Sequence, residues 1–289
     1  MAGFAGKVVF VTGASRGIGE YIAYEFASLG ADVALMAKST TAAPHRVFEG
    51  TIESTAERVR SYGVEALEIQ GDVSHEDDVE RAFQETMDRF GRCDILVNNA
   101  AVSYVGPFLE VSNKRWQILL AVNVLGPVML AKAFVPQMLE RGDGRIVNIS
   151  SGGGRLDQDT SAMDTGAETV DSRFGEASFG ESGHGLGDSL LAYGTSKAAL
   201  NRFTVGLARE LRGKGIGVNA LEVGAATPAY RYTLPNADYS KNELSEAPAQ
   251  LTTWLAAQPP EFTAHILDQS VLLPDLRSRG LVRPKVDPT

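Results

Sequence analysis

Tyr193 and Lys197 stand four residues apart in "AYGTSKAAL", a spacing that puts both side chains on one face of a helix. An ammonium beside a phenol favours the phenolate by roughly one to three pKa units, which would bring a group of ordinary pKa about 10 toward neutral pH. Such a pair is a candidate general acid and base. A second candidate lies upstream, where "NISSGGGRLDQDT" (148–160) ends an apolar run on Ser150 and Ser151, and strand alternation lets only one of those hydroxyls face a given side. The third lies near the N-terminus, where "VTGASRGIGEYIA" sets Gly13, Gly17 and Gly19 between an apolar run and an amphipathic one. Gly13 permits a tight turn and Gly17 lets the backbone approach a pyrophosphate. Ser15, Arg16 and Ile18 sit where the following helix offers N–H groups and its positive dipole end to an anion.

These groups need elements to hold them. Short β-branched runs predict strands at 7–12, 32–37, 65–70, 94–98, 145–150, 217–222 and 265–273. Between them, apolar stripes predict helices near 17–29, 51–62, 75–90, 112–141 and 191–213. Ser74 is placed to cap the third helix, and the acids after it suit the dipole. The alternation predicts an α/β fold, a doubly wound parallel sheet of about seven strands with helices on both faces. Ligands of such a sheet bind at the carboxyl ends of its strands.

The 289 residues, 44% of them hydrophobic, are read as one domain with an acidic insertion at 152–190 and a C-terminal, substrate-side lobe at 229–289. Residues 152–189 hold eight acids and two bases, −6 of a formal net charge of −9. Closing a long loop costs entropy only logarithmically in its length, so the insertion is tolerable; a lid, a partner-binding flap and a disordered decoration all stay open. The net charge argues against nucleic acid as a partner. A single cysteine, Cys93, excludes an intrachain disulfide, and His45, His75, His184 and His265 have no metal-ligand spacing, so no metal is expected. No apolar run is read as long enough to span a bilayer, and the N-terminus has no signal-peptide pattern, so a cytoplasmic protein is expected.

The spacing Thr-Gly-x-x-x-Gly-x-Gly (12–19) is followed in order by "GDV" (71–73), "NNAA" (98–101), "VNVLG" (122–126), "IVNISS" (146–151) and "YGTSK" (193–197). This series, over roughly residues 5–228, resembles the short-chain dehydrogenase/reductase family. The run "AKSTTAAPHRVFEGTIESTAERV" further resembles its hydroxysteroid-dehydrogenase-like subgroup. The resemblance implies a Rossmann fold and hydride transfer between a nicotinamide and a carbonyl or secondary-alcohol substrate of small size. In it Tyr193 would be the proton donor and acceptor, and Lys197 would tune it and hold the nicotinamide ribose. Ser151 would bond the substrate carbonyl oxygen with Ser150 behind it, and Asn123 would hold a lysine-linked water chain. Asp72 and Val73 would hold the adenine, and Asn98, Asn99 and Ala100 would line the strand under the cofactor. Two positions depart from the family: Ala101 stands for a glycine, and Val223 stands for a proline in "NALEVGAATP", where Thr227 is carried over as the nicotinamide-amide partner. A homodimer or homotetramer through the long helices at 112–141 and 191–213 is also implied.

An NAD site usually places a carboxylate at the end of the second strand. Here Lys38 and Ser39 stand there, with Arg16 in the glycine loop, and charge-assisted hydrogen bonds from these groups suit a 2′-phosphate. NADP(H) is therefore the expected cofactor, with NAD(H) possible. The same scaffold also serves epimerases or lyases, and NADP(H)-binding sensors or scaffold proteins without turnover.

Overall fold

The computed structural model describes residues 3–104, 106–155, 190–225, 227–233 and 243–284. Seven strands form one parallel sheet in the order β3-β2-β1-β4-β5-β6-β7. They are β1 (Val8–Thr12), β2 (Asp32–Ala37), β3 (Ala66–Gln70), β4 (Ile95–Asn98), β5 (Gly144–Ser150), β6 (Ile216–Glu222) and β7 (Ile266–Asp268). The order reverses between β1 and β4, which opens a crevice beyond the carboxyl ends of those strands.

The five inner strands are buried on both faces, so their alternation fills two cores. Val9, Val11, Val33, Leu35 and Val97 meet α1 (Gly17–Ser28), α2 (Ile52–Arg60) and α8 (Glu246–Ala256) on one side. Phe10, Met36, Leu96 and Ile146 meet α3 (Glu76–Phe90), α5 (Gly126–Arg141) and α6 (Leu191–Glu210) on the other. Phe10 and Phe134 pack at 4.8 Å between ring centres, and each such burial contributes about 1.5–3 kcal/mol. Two short helices, α4 (Asn113–Leu120) and α7 (Pro228–Thr233), flank the crevice, and α9 (Gln269–Ser278) follows β7.

Several readings of the sequence need correction. The strand expected at 265–273 stops at Asp268, whose side chain accepts the Ser270 N–H at 2.8 Å and caps α9. Helices α7, α8 and α9 were not expected. Ser74 does not cap α3; its N–H and hydroxyl donate to Asp72 Oδ1 at 3.0 and 2.7 Å, and the helix begins after His75 without a side-chain cap. The long helix at 112–141 is interrupted by a π-helical turn, Ala121–Leu125, between α4 and α5. By length and composition this stretch, Asn113–Arg141, is apolar enough to cross a membrane, contrary to the reading of the sequence; Leu119, Leu130, Phe134 and Met138 in it are buried against the protein. The acidic insertion lies outside the described residues apart from 152–155 and 190.

Candidate active site

The crevice is a cleft of about 1670 Å³, larger than the roughly 300–1,000 Å³ usual for one small ligand and roomy enough for a dinucleotide with a substrate. Gly13, Ser15, Arg16, Gly17, Ile18, Lys38, Ser39, Asp72, Val73, Asn99, Ala100, Lys197 and Thr227 all line it. Gly19 lies beneath the loop instead. A Cβ on Gly19 would fall 2.4 Å from both Gly13 O and Asn99 Nδ2, while Gly17 has a φ of +61° that side chains rarely adopt. Asn99 holds this loop by donating to Thr12 O at 2.8 Å, and Thr12 Oγ1 accepts the N–H groups of Asn99 and Ala100 at 3.0 and 2.9 Å. The N-terminus of α1 has no side-chain cap, so its first N–H groups face the cleft as an anion site would require. The residues present therefore fit a dinucleotide.

The adenosine side differs from expectation in detail. Lys38 Nζ is ion-paired with Asp72 Oδ2 at 2.7 Å, and with its side chain 71% exposed this link is weak. Arg16 donates from Nε to Glu49 O at 2.8 Å and from Nη2 to Gly50 O at 2.7 Å, so its hydrogen bonds hold the loop after β2 while its charge meets neutral carbonyls. Asn98 does not line the cleft; its Nδ2 donates to Asn148 Oδ1 at 2.8 Å, and Asn148 Nδ2 donates to Thr204 Oγ1 at 2.8 Å, forming a buried brace through β4, β5 and α6.

Tyr193 and Lys197 lie on the first turns of α6, one turn apart as the spacing predicts. Ser151, just past β5, lies beside Tyr193, its Oγ and the Tyr193 Cδ1 falling 3.8 and 3.9 Å from where a Cβ on Gly153 would be, and Ser150 lies behind it with a buried Oγ that finds no partner among the described residues. The turn that joins Ser151 to Arg155 is Gly152–Gly154, and it nests against α6. A Cβ on Gly194 would sit 2.4 Å from Gly153 O, and one on Gly154 would sit 2.7 Å from the Ala198 N. Serine and tyrosine are thus brought together by backbone contact that larger residues would prevent.

The expected acidification of the phenol is absent. Part of the Tyr193 ring opens on the cleft, but desolvation of its hydroxyl end pushes the pKa up to about 12, with the Ser151 hydrogen bond acting in the opposite sense. Lys197 is buried, and that burial takes its ammonium down to about 8. The Lys197 Nζ donates to Ile149 O at 2.8 Å and stands 5.7 Å from the Tyr193 ring centre, so it does not contact the phenol oxygen in a way that offsets desolvation. At neutral pH the site therefore holds a proton on each group.

Asn123 does not line the cleft. In the π-helical turn, its Oδ1 accepts the Val102 N–H at 2.9 Å, and its Nδ2 donates to Val102 O at 2.9 Å and Ser196 Oγ at 3.0 Å. It ties the loop after β4 to α6 beside Lys197. Thr227 faces the glycine loop, its Cγ2 lying 3.8 Å from where a Cβ of Gly17 would be. Val223, at the family's proline position, donates its N–H to Ser150 O at 3.3 Å, a bond proline cannot make.

Residues missed by the sequence reading close the other end of the cleft. Arg155 Nε lies 2.5 Å from Glu222 Oε2 and its Nη2 lies 2.5 Å from Asp268 Oδ2. Gln269 accepts the Gly224 N–H at 3.2 Å and donates to Gly224 O at 3.1 Å. The available signal was a glutamate at the end of an otherwise apolar strand, "VNALE", which has to find a cation or hydrogen bonds once buried.

Residues 7–163 match the short chain dehydrogenase family. An uncharacterized oxidoreductase of Thermotoga maritima is 42% identical over 153 residues, covering 53% of this chain and 57% of its own length. Human hydroxysteroid dehydrogenase-like protein 2 is 39% identical over 146 residues, covering 50% of this chain and 34% of its own length, so the match spans only part of either relative. A 3-oxoacyl-[acyl-carrier-protein] reductase of Synechocystis is 31% identical over 225 residues, 78% of this chain and 76% of that protein. Among solved structures, a short chain dehydrogenase of Mycobacterium thermoresistibile superposes with a TM-score of 0.76 at 29% identity, covering 94% of this chain and 88% of that one. A metagenomic short-chain oxidoreductase in complex with NADP does so with a TM-score of 0.68 at 29% identity, covering 91% of this chain and 97% of that one. By the motifs of its sequence, the order of its sheet and these matches, the chain belongs to the short-chain dehydrogenase/reductase family.

Proposed function

We propose that the protein is an NADP(H)-dependent oxidoreductase acting on a carbonyl or secondary-alcohol substrate, with Tyr193 as the general acid and base. The observation that carries this reading is the placement of Ser151 beside Tyr193 in the same cleft as the glycine cradle. A bound nicotinamide would supply or accept the hydride. The protein's own residues do the rest. Gly13, Gly17, Ser15, Ile18 and the start of α1 hold the dinucleotide phosphates, Asp72 and Val73 border the adenine region, and Thr227 closes over the glycine loop. Ser151 donates a hydrogen bond to the substrate oxygen as negative charge grows on it. Tyr193, protonated because it is desolvated, releases its proton to that oxygen, and Lys197 beneath the ring stabilises the phenolate left behind. This resting state suits carbonyl reduction.

The NADP(H) preference rests on Lys38, just past the end of β2 where no carboxylate stands, and on Arg16 in the glycine loop. The metagenomic relative bound to NADP supports it. Exposed Leu120, Leu125 and Leu139 on the α4–α5 helical stretch and Leu191 on α6 support a homodimer or homotetramer through those helices. A cytoplasmic setting suits the lone free thiol of Cys93. The test is a spectrophotometric screen for NADPH and NADH oxidation over ketones, aldehydes, quinones and 3-oxoacyl thioesters. NADPH-dependent reduction of at least one carbonyl supports the reading; stoichiometric NADPH binding with no turnover across the panel would favour a sensor or scaffold.

A further inference from the structure

We propose that Glu222 is a positioning residue of the active site, whose buried carboxylate holds the Ser151 turn against the helix that carries Tyr193 and Lys197. This rests on the hydride-transfer reading, because it concerns how the groups of the same site are kept in register.

Ser151 starts a turn that has little means of holding itself. Its next three residues, Gly152–Gly154, bring no side chain to pack, and glycine loses more backbone freedom on ordering than any other residue. Glycine is needed there for close approach, since a Cβ on Gly154 would fall 2.7 Å from both Lys197 C and Ala198 N. Keeping Ser151 seated on α6 therefore calls for a fastening at the far end of the turn. Arg155, the first side chain after the glycines, supplies it. Its Nε lies 2.5 Å from Glu222 Oε2 and its Nη2 lies 2.5 Å from Asp268 Oδ2, so one guanidinium ties the turn to the last residues of β6 and β7.

Glu222 carries the connection on to α6. It stands opposite Ser150 in the β5–β6 register and is only 4% exposed. Its other oxygen, Oε1, accepts a hydrogen bond from Asn201 Nδ2 at 3.1 Å. Asn201 lies one helical turn beyond Lys197 and two beyond Tyr193, so the three share a side of α6. One carboxylate thus joins the turn that bears the serine to the helix that bears the phenol and the ammonium. Enclosing a carboxylate costs free energy that an apolar residue would avoid, and a buried ion pair returns little net stability. What Glu222 contributes is alignment. Ser151 and Tyr193 have to meet one substrate oxygen, and a misplacement of about 1 Å between such groups costs up to about 10²-fold in rate.

The test uses Glu222→Gln, Arg155→Met and the double variant, with the best carbonyl from the NADPH screen and rates expressed per NADPH-binding site. Each single change should lower kcat about tenfold or more while KM for NADPH stays within about twofold. The double variant should be no worse than the more severe single one, because groups that act as a unit are not additive. Arg155→Lys, which keeps one charged hydrogen bond, should recover part of the loss. An unchanged kcat in the folded single variants, or losses that multiply in the double one, would overturn the proposal. A change confined to KM for the carbonyl would also overturn it, by making Glu222 a substrate contact. If the parent protein reduces no carbonyl, the hydride-transfer reading is the one that fails, and the link is read from amide hydrogen exchange of the NADP-loaded protein. Faster exchange in Glu222→Gln at 151–155 and 191–197, with 12–19 unchanged, supports it. Exchange that is unchanged there, or raised equally in all three segments, refutes it.

Discussion

Asn123 Nδ2 lies 3.0 Å from Ser196 Oγ, so the π-helical turn between α4 and α5 is joined to α6 at the residue before Lys197. A π-helical turn widens the helix by one residue, which carries an inward side chain farther than a regular turn would. Asn123 uses that reach to satisfy both backbone groups of Val102 as well. Asn123→Ala should destabilise the fold by about 1–3 kcal/mol through the unpaired Val102 groups, and should lower kcat more than it weakens NADPH binding. Denaturant unfolding beside steady-state kinetics will check this; an unchanged kcat in a folded variant would count against the tie.

Lys38 is the cation most able to turn toward a 2′-phosphate, since its partner Asp72 holds it only at an exposed ion pair. Lys38→Ala should raise KM for NADPH by about tenfold or more, the worth of a charged hydrogen bond, and leave KM for NADH nearly unchanged. Equal effects on the two cofactors would show that Lys38 does not read the phosphate.

The pH dependence follows from burial. Lys197 is held down to about 8 and Tyr193 up to about 12, so carbonyl reduction should be flat through neutral pH and fall as the ammonium loses its proton above about pH 8. Lys197→Arg, which keeps its charge, should move that break to higher pH. A break that stays in place would assign it to another group.

At the amino end of the central strand β4, away from the cleft, Asp94 is 2% exposed. Burial works against its charge, but hydrogen bonds from Arg92 and the Val8 N–H, together with the charges of Arg141 and Arg92, hold the carboxyl below its ordinary value. Because the folded pKa lies below the unfolded one, this stabilisation is complete above the unfolded value, about 3.9, and is lost as pH falls through the folded value. Asp94→Asn should cost about 1–3 kcal/mol at neutral pH and flatten the acid limb of the stability curve. Denaturant midpoints from neutral to acid pH will measure it.

The alternating α/β pattern was legible because the inner strands are buried on both faces and read as mostly apolar runs, while the helices keep their stripes. The glycine cradle and the Tyr193–Lys197 spacing were legible because both are local. What sequence could not supply was tertiary. Nothing near Arg155 in the chain points to Glu222, which lies 67 positions later and reaches it only because Ser150 and Glu222 face each other in the β5–β6 register. The tuning of Tyr193 was misjudged in sign for the same reason. Spacing placed the cation nearby but could not say that its Nζ turns to Ile149 O, or that enclosure outweighs its charge. At Asp268 an apolar alternation continued into residues that a cap turned into a helix.

The most direct measurement is turnover by Tyr193→Phe on the best carbonyl from the NADPH screen, with NADPH binding measured on the same preparation. The predicted result is a loss of about 10²–10⁴ in kcat with cofactor affinity kept within a few-fold. A folded Tyr193→Phe protein that binds NADPH and reduces the carbonyl at the parent rate would contradict the assignment of the proton to this phenol.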